Sequence, residues 1–257
     1  MDLGLTGRGV IVTGGSSGIG LATIRLLLEE GAEVATCARN TERLHSAVAG
    51  LGVRYASGCN ILEASETANF VDESFHKLGR IDAVVAVAGQ GIRGLPLETP
   101  GSDWDLQVAG KVAALLNPVR SALTYLRLSD AARVVVIGSV TSTEPELELA
   151  ASSAGQAATA VAAKTMAIEL APFGILVNIV AIGIVDTDRQ RAAHRRSETT
   201  LDYDMWLERE VERRGGLLRR AANTEEIARQ LVLLASPLTT YATAATFDVS
   251  GGMRRSL

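Results

Sequence analysis

Short apolar runs rich in β-branched residues alternate with longer amphipathic segments along almost the whole chain. The short runs are apolar at consecutive positions, which is typical of strands that are buried on both faces of a sheet. They predict seven strands, the third weaker than the others: Val10–Thr13, Val34–Ala38, Val53–Ser57, Ala83–Val87, Val134–Ile137, Leu176–Ile182 and Thr246–Val249. The segments between them predict six helices: Ile19–Glu30, Glu42–Ala49, Ala64–Leu78, Asp103–Leu128, Ser153–Ala171 and Thr224–Ala235.

This alternation of strands and helices is typical of βαβ units, which are joined by right-handed crossovers. We therefore expect an α/β protein with a doubly wound, mostly parallel seven-stranded sheet and helices on both faces. No internal repeat, low-complexity linker or Pro-rich boundary divides the 257 residues. The sequence predicts a single domain spanning residues 1–257.

Two segments interrupt the alternation. Residues 139–149 follow a strand and contain Thr-Ser-Thr-Glu-Pro, which predicts a loop at the carboxyl edge of the sheet, where doubly wound folds bind ligands. Residues 187–223 are long and rich in Arg and Glu, with Tyr203, Trp206 and Leu207 as apolar anchors. A segment of this length before the last helix indicates a substrate lid. The alternative is a solvent-exposed helical segment without a role in binding.

Composition and charge exclude several classes of protein. Hydrophobic residues make up 47% and charged residues 21%, which argues against disorder. The net charge of −4 gives no excess of positive charge that would attract nucleic acid. The N-terminal residues do not have the pattern of a signal peptide, and no apolar stretch is long enough to span a membrane. Cys37 and Cys59 lie far apart in the sequence, and the three histidines are scattered. We expect a cytoplasmic protein without a metal site.

A glycine-rich segment follows the first predicted strand and opens the first helix. It reads Thr13-Gly14-Gly15-Ser16-Ser17-Gly18-Ile19-Gly20. Gly14 suits a tight turn, Gly18 lets the backbone approach a pyrophosphate, and Gly20 allows close packing of helix and sheet. The helix N-terminus offers free N–H groups to the phosphates. In this context the segment predicts dinucleotide binding rather than an ordinary strand–helix turn.

These glycines resemble the cofactor fingerprint of the classical short-chain dehydrogenase/reductase family. Further motifs that resemble this family follow in the family's order and spacing: Leu78-Gly79-Arg80-Ile81-Asp82, Ala88-Gly89, Trp104-Asp105, Ile137-Gly138-Ser139, Gly174–Asn178 and Val249-Ser250-Gly251-Gly252. The resemblance covers essentially the whole chain. It implies a Rossmann-type fold, a nicotinamide dinucleotide, a small-molecule substrate and a homotetramer or homodimer.

The choice of cofactor is predicted from the end of the second strand. An acidic residue there would hold an adenosine ribose, but the position is Ala38 and Arg39 follows it. A guanidinium suits a 2′-phosphate, so NADP is favoured over NAD, unless Arg39 is simply exposed at a strand end. Asn60 stands where the family usually has an adenine-contacting Asp. The full set of expected cofactor-binding residues is Gly14, Ser16, Ser17, Gly18, Ile19, Gly20, Arg39, Asn60, Ile61, Ala88, Gly89, Gly183, Val185 and Thr187.

The resemblance fails at the residues that move protons. The family uses a Ser, a Tyr, a Lys and an Asn; Ser139 matches the Ser, whereas Ser152 stands at the Tyr position and Gln156 at the Lys position. A serine is a much weaker acid than a phenol, and Gln156 carries no charge. Ordinary carbonyl reduction should therefore be badly impaired. The sequence alone predicts that restoring the Tyr and the Lys together would raise such activity.

Lys111 stands at the family's Asn position, and two interpretations of it follow from the sequence. We hypothesise that it replaces the missing ammonium, holding a ribose hydroxyl or polarising a substrate oxygen with Ser139. The alternative is a lysine paired with a surface acid. Glu144, Glu146 and Glu148 alternate after Ser139, so one of them can be a base, or all three can be a solvated run.

Three functions remain open from the sequence. The first is an NADP(H)-dependent oxidoreductase with a rebuilt proton path. The second is a non-redox enzyme on the same scaffold, such as an isomerase, cyclase or dehydratase, and the third is a catalytically inactive NADP-binding protein. The sequence does not specify the substrate. The excess of nine arginines over six acids between Arg189 and Arg220 would tolerate an anionic one.

Overall fold

The computed structural model of the protein describes residues 2–254 and contains one seven-stranded parallel sheet. The strand order is β3-β2-β1-β4-β5-β6-β7, and every neighbouring pair is parallel. The strands are β1 (Gly9–Thr13), β2 (Glu33–Ala38), β3 (Tyr55–Gly58), β4 (Ala83–Ala86), β5 (Arg133–Ser139), β6 (Leu176–Ile182) and β7 (Thr246–Val249). The predicted fold class is confirmed.

Helices cover both faces of the sheet. They are α1 (Gly18–Glu29), α2 (Thr41–Val48), α3 (Ala64–Leu78), α4 (Gly101–Leu126), α5 (Ala150–Leu170), α6 (Asp188–Arg196), α7 (Tyr203–Arg213) and α8 (Thr224–Ala235). Apolar side chains of α3, α4 and α5 form one core layer against the sheet, and those of α1, α2 and α8 form the other. This explains why the strands have continuous apolar runs, since both of their faces are buried.

The chain enters β4 from β3 by crossing from the edge of the sheet to its middle. Strands β1 and β4 are therefore neighbours although they are separated in sequence, and the direction of winding reverses between them. A crevice opens beyond the carboxyl ends of strands at such a switch point. The loops that follow β1, β4, β5 and β6 all reach this crevice, so it is the place where a site can be assembled.

Helix α5 begins earlier than the sequence predicts, at Ala150 rather than Ser153. Ser152 therefore lies in the first turn of the helix. The preceding loop contains a short 3-10 turn at Val140–Ser142, and the Ser139 hydroxyl accepts the N–H of Thr141 at its start. The residues of α5 are mostly small and give only a weak amphipathic pattern, so the sequence does not define the first residue of this helix sharply.

Residues 187–223 form the two helices α6 and α7 and a return segment. Trp206 and Leu207 are buried in a small apolar cluster with Val140 and Ile184, as expected of anchors. Tyr203 donates a hydrogen bond of 2.5 Å to Asp186, immediately before the segment begins. These contacts attach the segment over the carboxyl edge of the sheet. No helix within residues 2–254 has the length and apolar character that crossing a bilayer requires.

Candidate active site and cofactor cleft

A cleft of 1520 Å³ lies at the carboxyl edge of the sheet, beneath helix α6. Its walls come from the glycine-rich loop, the ends of β2, β4 and β5, helices α4 and α5, and the segment after β6. All fourteen residues expected to bind the cofactor line it, and so do Ser139, Lys111, Ser152 and Gln156. The structure thus brings the whole set of residues predicted from the sequence into one site.

The glycine-rich loop has the geometry that a pyrophosphate needs. Gly14 and Gly18 have φ angles of +82° and +56°, a region that other residues adopt only with strain. A Cβ atom at Gly20 would lie 2.3 Å from the carbonyl oxygen of Gly14, so only glycine allows the helix to begin so close to the strand. The first residues of α1 line the cleft at this loop, and phosphates bind well at such helix N-termini.

The end of the cleft beside β2 carries two arginines. Arg39 donates a hydrogen bond of 2.9 Å to Gln90 Oε1, and Arg43 forms an ion pair of 2.7 Å with Asp188 of helix α6. Both side chains line the cleft, and no acid stands at Ala38. Arg43 was not among the residues predicted from the sequence, although its position four residues after Arg39, in the first turn of α2, is a usable signal. The Asn60 Oδ1 accepts the N–H of Leu62 at 3.3 Å.

Ser139 lies at the end of β5, opposite Ile182 of β6. Its hydroxyl oxygen accepts hydrogen bonds from the N–H and the hydroxyl of Thr141, at 3.2 and 3.0 Å. The backbone contact uses the oxygen as an acceptor, and either hydroxyl of the second contact can donate, so the hydroxyl proton of Ser139 can turn toward an oxygen in the cleft. The geometry suits a residue that polarises a substrate carbonyl.

Ser152 has a different environment, because its hydroxyl is buried and already bonded. Its oxygen accepts the N–H of Ile92 at 2.9 Å and lies 3.0 Å from the Ile92 carbonyl and 2.9 Å from Gln107 Oε1. The single hydroxyl proton therefore has two protein acceptors within reach. Gln107 is itself buried, with 1% of its surface exposed. The hydrogen bonds of Ser152 thus connect α5 with α4 and with the loop after β4.

Lys111 extends from α4 into the cleft past Gly155 of α5. A Cβ atom at Gly155 would lie 2.7 Å from Lys111 Cδ and 2.2 Å from the Gln107 carbonyl oxygen, so the absence of a side chain gives Lys111 its path. The Lys111 ammonium donates to the carbonyl of Gln90 at 3.0 Å. Burial, followed by the charge of Arg189, lowers the pKa of Lys111 from 10.5 to about 8. Gln156 lies nearby, half-buried on the wall of the cleft.

Arg189, in the first turn of α6, is a cleft residue that the sequence analysis did not single out. Its guanidinium donates to the carbonyl of Gly89 at 3.1 Å. The side chain is open to solvent within the cleft but has protein on several sides, and this partial burial lowers the pKa of Arg189. No local sequence signal separates Arg189 from the other arginines of α6.

The glutamates after Ser139 pair with arginines. Glu148 contacts Arg93 at 2.8 Å, and Glu146 contacts Arg214 at 2.9 Å. Glu144 and Glu146 line a smaller cavity of 260 Å³ that also reaches Ser139. Glu148 therefore connects this loop with the loop after β4, and Glu146 attaches it to the end of α7 within the segment 187–223.

The short chain dehydrogenase family model matches residues 8–198, which is well over half of the chain. Together with the parallel sheet and the glycine-rich loop at its switch point, this match defines the class: the chain belongs to the short-chain dehydrogenase/reductase family. Members of this family bind a nicotinamide dinucleotide and small-molecule substrates and are commonly oligomeric.

Several relatives are similar over their full length. The 3-oxoacyl-[acyl-carrier-protein] reductase FabG of Chlamydia pneumoniae is 29% identical, over 98% of this chain and 99% of its own. Among solved structures, an NADPH-bound short chain oxidoreductase from Pseudomonas aeruginosa PAO1, described as containing an atypical catalytic center, is 36% identical with a TM-score of 0.92, covering 97% of this chain and 98% of its own. L-sorbose reductase from Gluconobacter frateurii, complexed with NADPH and L-sorbose, is 26% identical with a TM-score of 0.94 and full coverage of both chains.

Proposed function

We propose that this protein is an NADP(H)-dependent oxidoreductase of a small carbonyl or hydroxyl compound, with a non-standard group of residues for proton transfer. The observation that carries the proposal is the cleft itself, which gathers every expected cofactor residue and places Arg39 and Arg43 beyond the end of β2, where position 38 is an alanine rather than an acid. The NADPH-bound relatives from Pseudomonas aeruginosa and Gluconobacter frateurii support the choice of cofactor. When bound, the nicotinamide supplies or accepts a hydride.

The residues of this chain divide the binding of the cofactor between them. The N–H groups of the 14–20 loop and of the first turn of α1 would hold the pyrophosphate. Arg39 and Arg43 would hold the 2′-phosphate through charge-assisted hydrogen bonds, for which Arg39 would exchange its contact with Gln90 and Arg43 its ion pair with Asp188. Gly183, Val185 and Thr187 would border the nicotinamide end.

Ser139 and Lys111 are the residues that we assign to the proton side of the reaction. Ser139 has its hydroxyl proton free to polarise a carbonyl oxygen. Lys111, with a pKa of about 8, is a stronger acid than an ordinary lysine and is still mostly protonated at pH 7. A group whose pKa lies near the working pH is well suited to give and take a proton.

The bonding of Ser152 favours a second candidate, a protein that binds NADP without turning over a substrate. Its hydroxyl cannot donate a proton into the cleft without losing a buried hydrogen bond to Gln107 or Ile92. A non-redox enzyme remains a further alternative. The deciding experiment incubates the protein with NADPH and a panel of ketones, oxo acids and sugars and follows the absorbance of the reduced nicotinamide. Oxidation that is lost in Lys111→Met supports the oxidoreductase; tight NADPH binding with no oxidation across the panel supports the binding protein.

Replacing Arg39 by Ala should weaken NADPH binding and leave NADH binding unchanged. Loss of one charge-assisted contact to a phosphate costs about 1.5–3 kcal/mol, or a factor of roughly 10–100 in the dissociation constant. Calorimetric titration with both cofactors measures the effect. Arg25→Ala, an exposed arginine of α1, is the matched control and should change neither affinity. Equal loss for NADPH and NADH would contradict the assignment of Arg39 to the 2′-phosphate.

A homodimer or homotetramer is the expected assembly, with α4 and α5 at the interface. The Ala-rich face of α5 permits close approach of helices, and Val161 and Ile168 on the same helix are 66% and 75% exposed in the single chain. Exposed aliphatic side chains of this kind are often covered by a second copy. Light scattering at micromolar concentration should give at least twice the mass of one chain. A monomer would contradict the prediction, and Ile168→Asp should shift the assembly toward one.

A further inference from the structure

Two cations meet in the cleft from opposite walls. Lys111 comes from α4 and donates to the carbonyl of Gln90, while Arg189 comes from α6 and donates to the carbonyl of Gly89. Consecutive carbonyl groups of the loop after β4 therefore receive one cation each. The two side chains are close enough for the charge of Arg189 to disfavour the protonated form of Lys111. A repulsive pair of this kind is unusual unless something anionic binds to it.

Each of the two cations donates a hydrogen bond to a backbone carbonyl, but their charges are not balanced. Within residues 2–254, neither Lys111 nor Arg189 forms an ion pair with a carboxylate. The acids that line the cleft are Asp103 and Asp188, and Asp188 is bound to Arg43. Backbone carbonyls are neutral acceptors, so they only partly compensate a cation that has lost part of its hydration. Both side chains remain reachable from the cleft.

The position of Arg189 indicates the substrate end of the cleft rather than the adenosine end. A Cβ atom added at Gly91 would lie 3.0 Å from Ser152 Oγ and 4.0 Å from a terminal nitrogen of Arg189. At most 7.0 Å therefore separates this nitrogen from the hydroxyl of Ser152, which stands where the family has its proton-donating Tyr. Arg39 and Arg43 begin beyond the end of β2 and reach the side chains of Gln90 and Asp188, whereas Arg189 donates to the backbone at Gly89.

We propose that Lys111 and Arg189 form a subsite for an anionic group of the substrate, a carboxylate or a phosphate. The substrate class would then be an oxo acid, a hydroxy acid or a phosphorylated equivalent. This inference rests on the proposed function, because the substrate shares the cleft with the cofactor. An anion bound there contacts α4 and α6 together, so it would also hold the segment 187–223 against the rest of the domain.

The test is calorimetric titration of two probes, malonate and inorganic phosphate, into the protein saturated with NADP⁺ at constant ionic strength. Prior saturation occupies the phosphate-binding parts of the cofactor cleft. We expect one probe to bind the wild type, and the binding probe identifies the anion class. Arg189→Met and Lys111→Met should each weaken that binding at least about tenfold, as for loss of a charge-assisted hydrogen bond. Arg189→Lys should retain more of it than Arg189→Met.

Arg195→Met is the matched control, because Arg195 is an exposed arginine on the same helix α6. It should leave probe binding unchanged, and Arg195→Met and the two Arg189 variants should bind NADP⁺ within about threefold of the wild type. The inference is overturned if neither probe binds the wild-type complex, or if Arg189→Met weakens NADP⁺ itself tenfold, since Arg189 would then serve the cofactor. Failure of the wild type to bind NADP⁺ would instead contradict the proposed function, and titration of malonate into the unliganded protein would still test the subsite.

Discussion

Replacing Lys111 by Met is expected to stabilise the unliganded protein at pH 7, by up to about 3 kcal/mol. The pKa of this lysine falls from 10.5 to about 8 in the folded state, and one unit corresponds to about 1.4 kcal/mol. The side chain keeps some contact with water, so the full value is an upper bound. Methionine has a similar volume and needs no hydration, while the Gln90 carbonyl that it leaves free is exposed to solvent.

The gain should depend on pH in a definite direction. Between about pH 8 and 10.5 the unfolded chain keeps the proton that the folded protein has released, so the stability of the wild type rises with pH in this interval. Below about pH 8 both states are protonated and the penalty is complete. The advantage of Lys111→Met should therefore be largest at pH 7 and vanish as the pH approaches 10.5.

Urea denaturation of wild type and variant at a series of pH values measures this advantage. Lys164→Met is the control, because Lys164 is exposed on α5 and its replacement should change stability by less than about 0.5 kcal/mol at any pH. A Lys111→Met variant that is no more stable than the wild type at pH 7, or whose advantage does not change with pH, would show that the ammonium is not desolvated in the cleft.

The sequence was sufficient to predict the sheet and the set of cleft residues, and the reason is physical. Strands buried on both faces need continuous apolar runs, and such runs leave little doubt about a parallel sheet. The carboxyl ends of parallel strands meet at one edge of the sheet. The residues that follow β1, β2, β4, β5 and β6 must therefore lie close together. The short strand β3, at the sheet edge and only half-buried, carried the weakest signal and began at Tyr55 rather than Val53.

Arg189 could not have been selected in the same way. Nine arginines occur between Arg189 and Arg220, and nothing in their spacing tells which one faces the cleft. The direction of α6 depends on long-range contacts, in particular the hydrogen bond from Tyr203 to Asp186 and the burial of Trp206. Residues that are positioned by tertiary contacts alone leave no periodic trace in the sequence.

The Ser152 position shows a related limit. From the sequence, Ser152 differs from the family's Tyr only by the absence of a phenol, so restoring Tyr and Lys together should restore activity. The structure changes this expectation, because the loop after β4 occupies the space beside the hydroxyl. Both the N–H and the carbonyl of Ile92 lie within hydrogen-bonding distance of the Ser152 hydroxyl. A Cβ atom added at Gly91 would lie only 3.0 Å from Ser152 Oγ.

Replacing Ser152 by Tyr is thus expected to lower the free energy of unfolding by about 3–5 kcal/mol, with or without Gln156→Lys. Overpacking of a tight site costs about 1–3 kcal/mol, and a buried polar group left without a partner, here the Gln107 amide oxygen, costs a similar amount. Gln156→Lys would add a third cation near Lys111 and Arg189 and would not offset these costs. Reduction of a diketone by NADPH should consequently not rise in the double variant.

Urea denaturation and an NADPH-oxidation assay of the single and double variants decide this point. Ser152→Ala is the control for the hydrogen bonds alone, and it should lose only about 1–3 kcal/mol because it introduces no bulk. Adding Gln107→Leu to Ser152→Tyr should recover part of the stability, since it removes the unsatisfied amide, whereas Gln107→Leu in the wild type should be destabilising. A double variant that is as stable as the wild type and reduces the diketone faster would mean that the loop after β4 moves aside readily, and that the protein lacks only the phenol and the ammonium of the family.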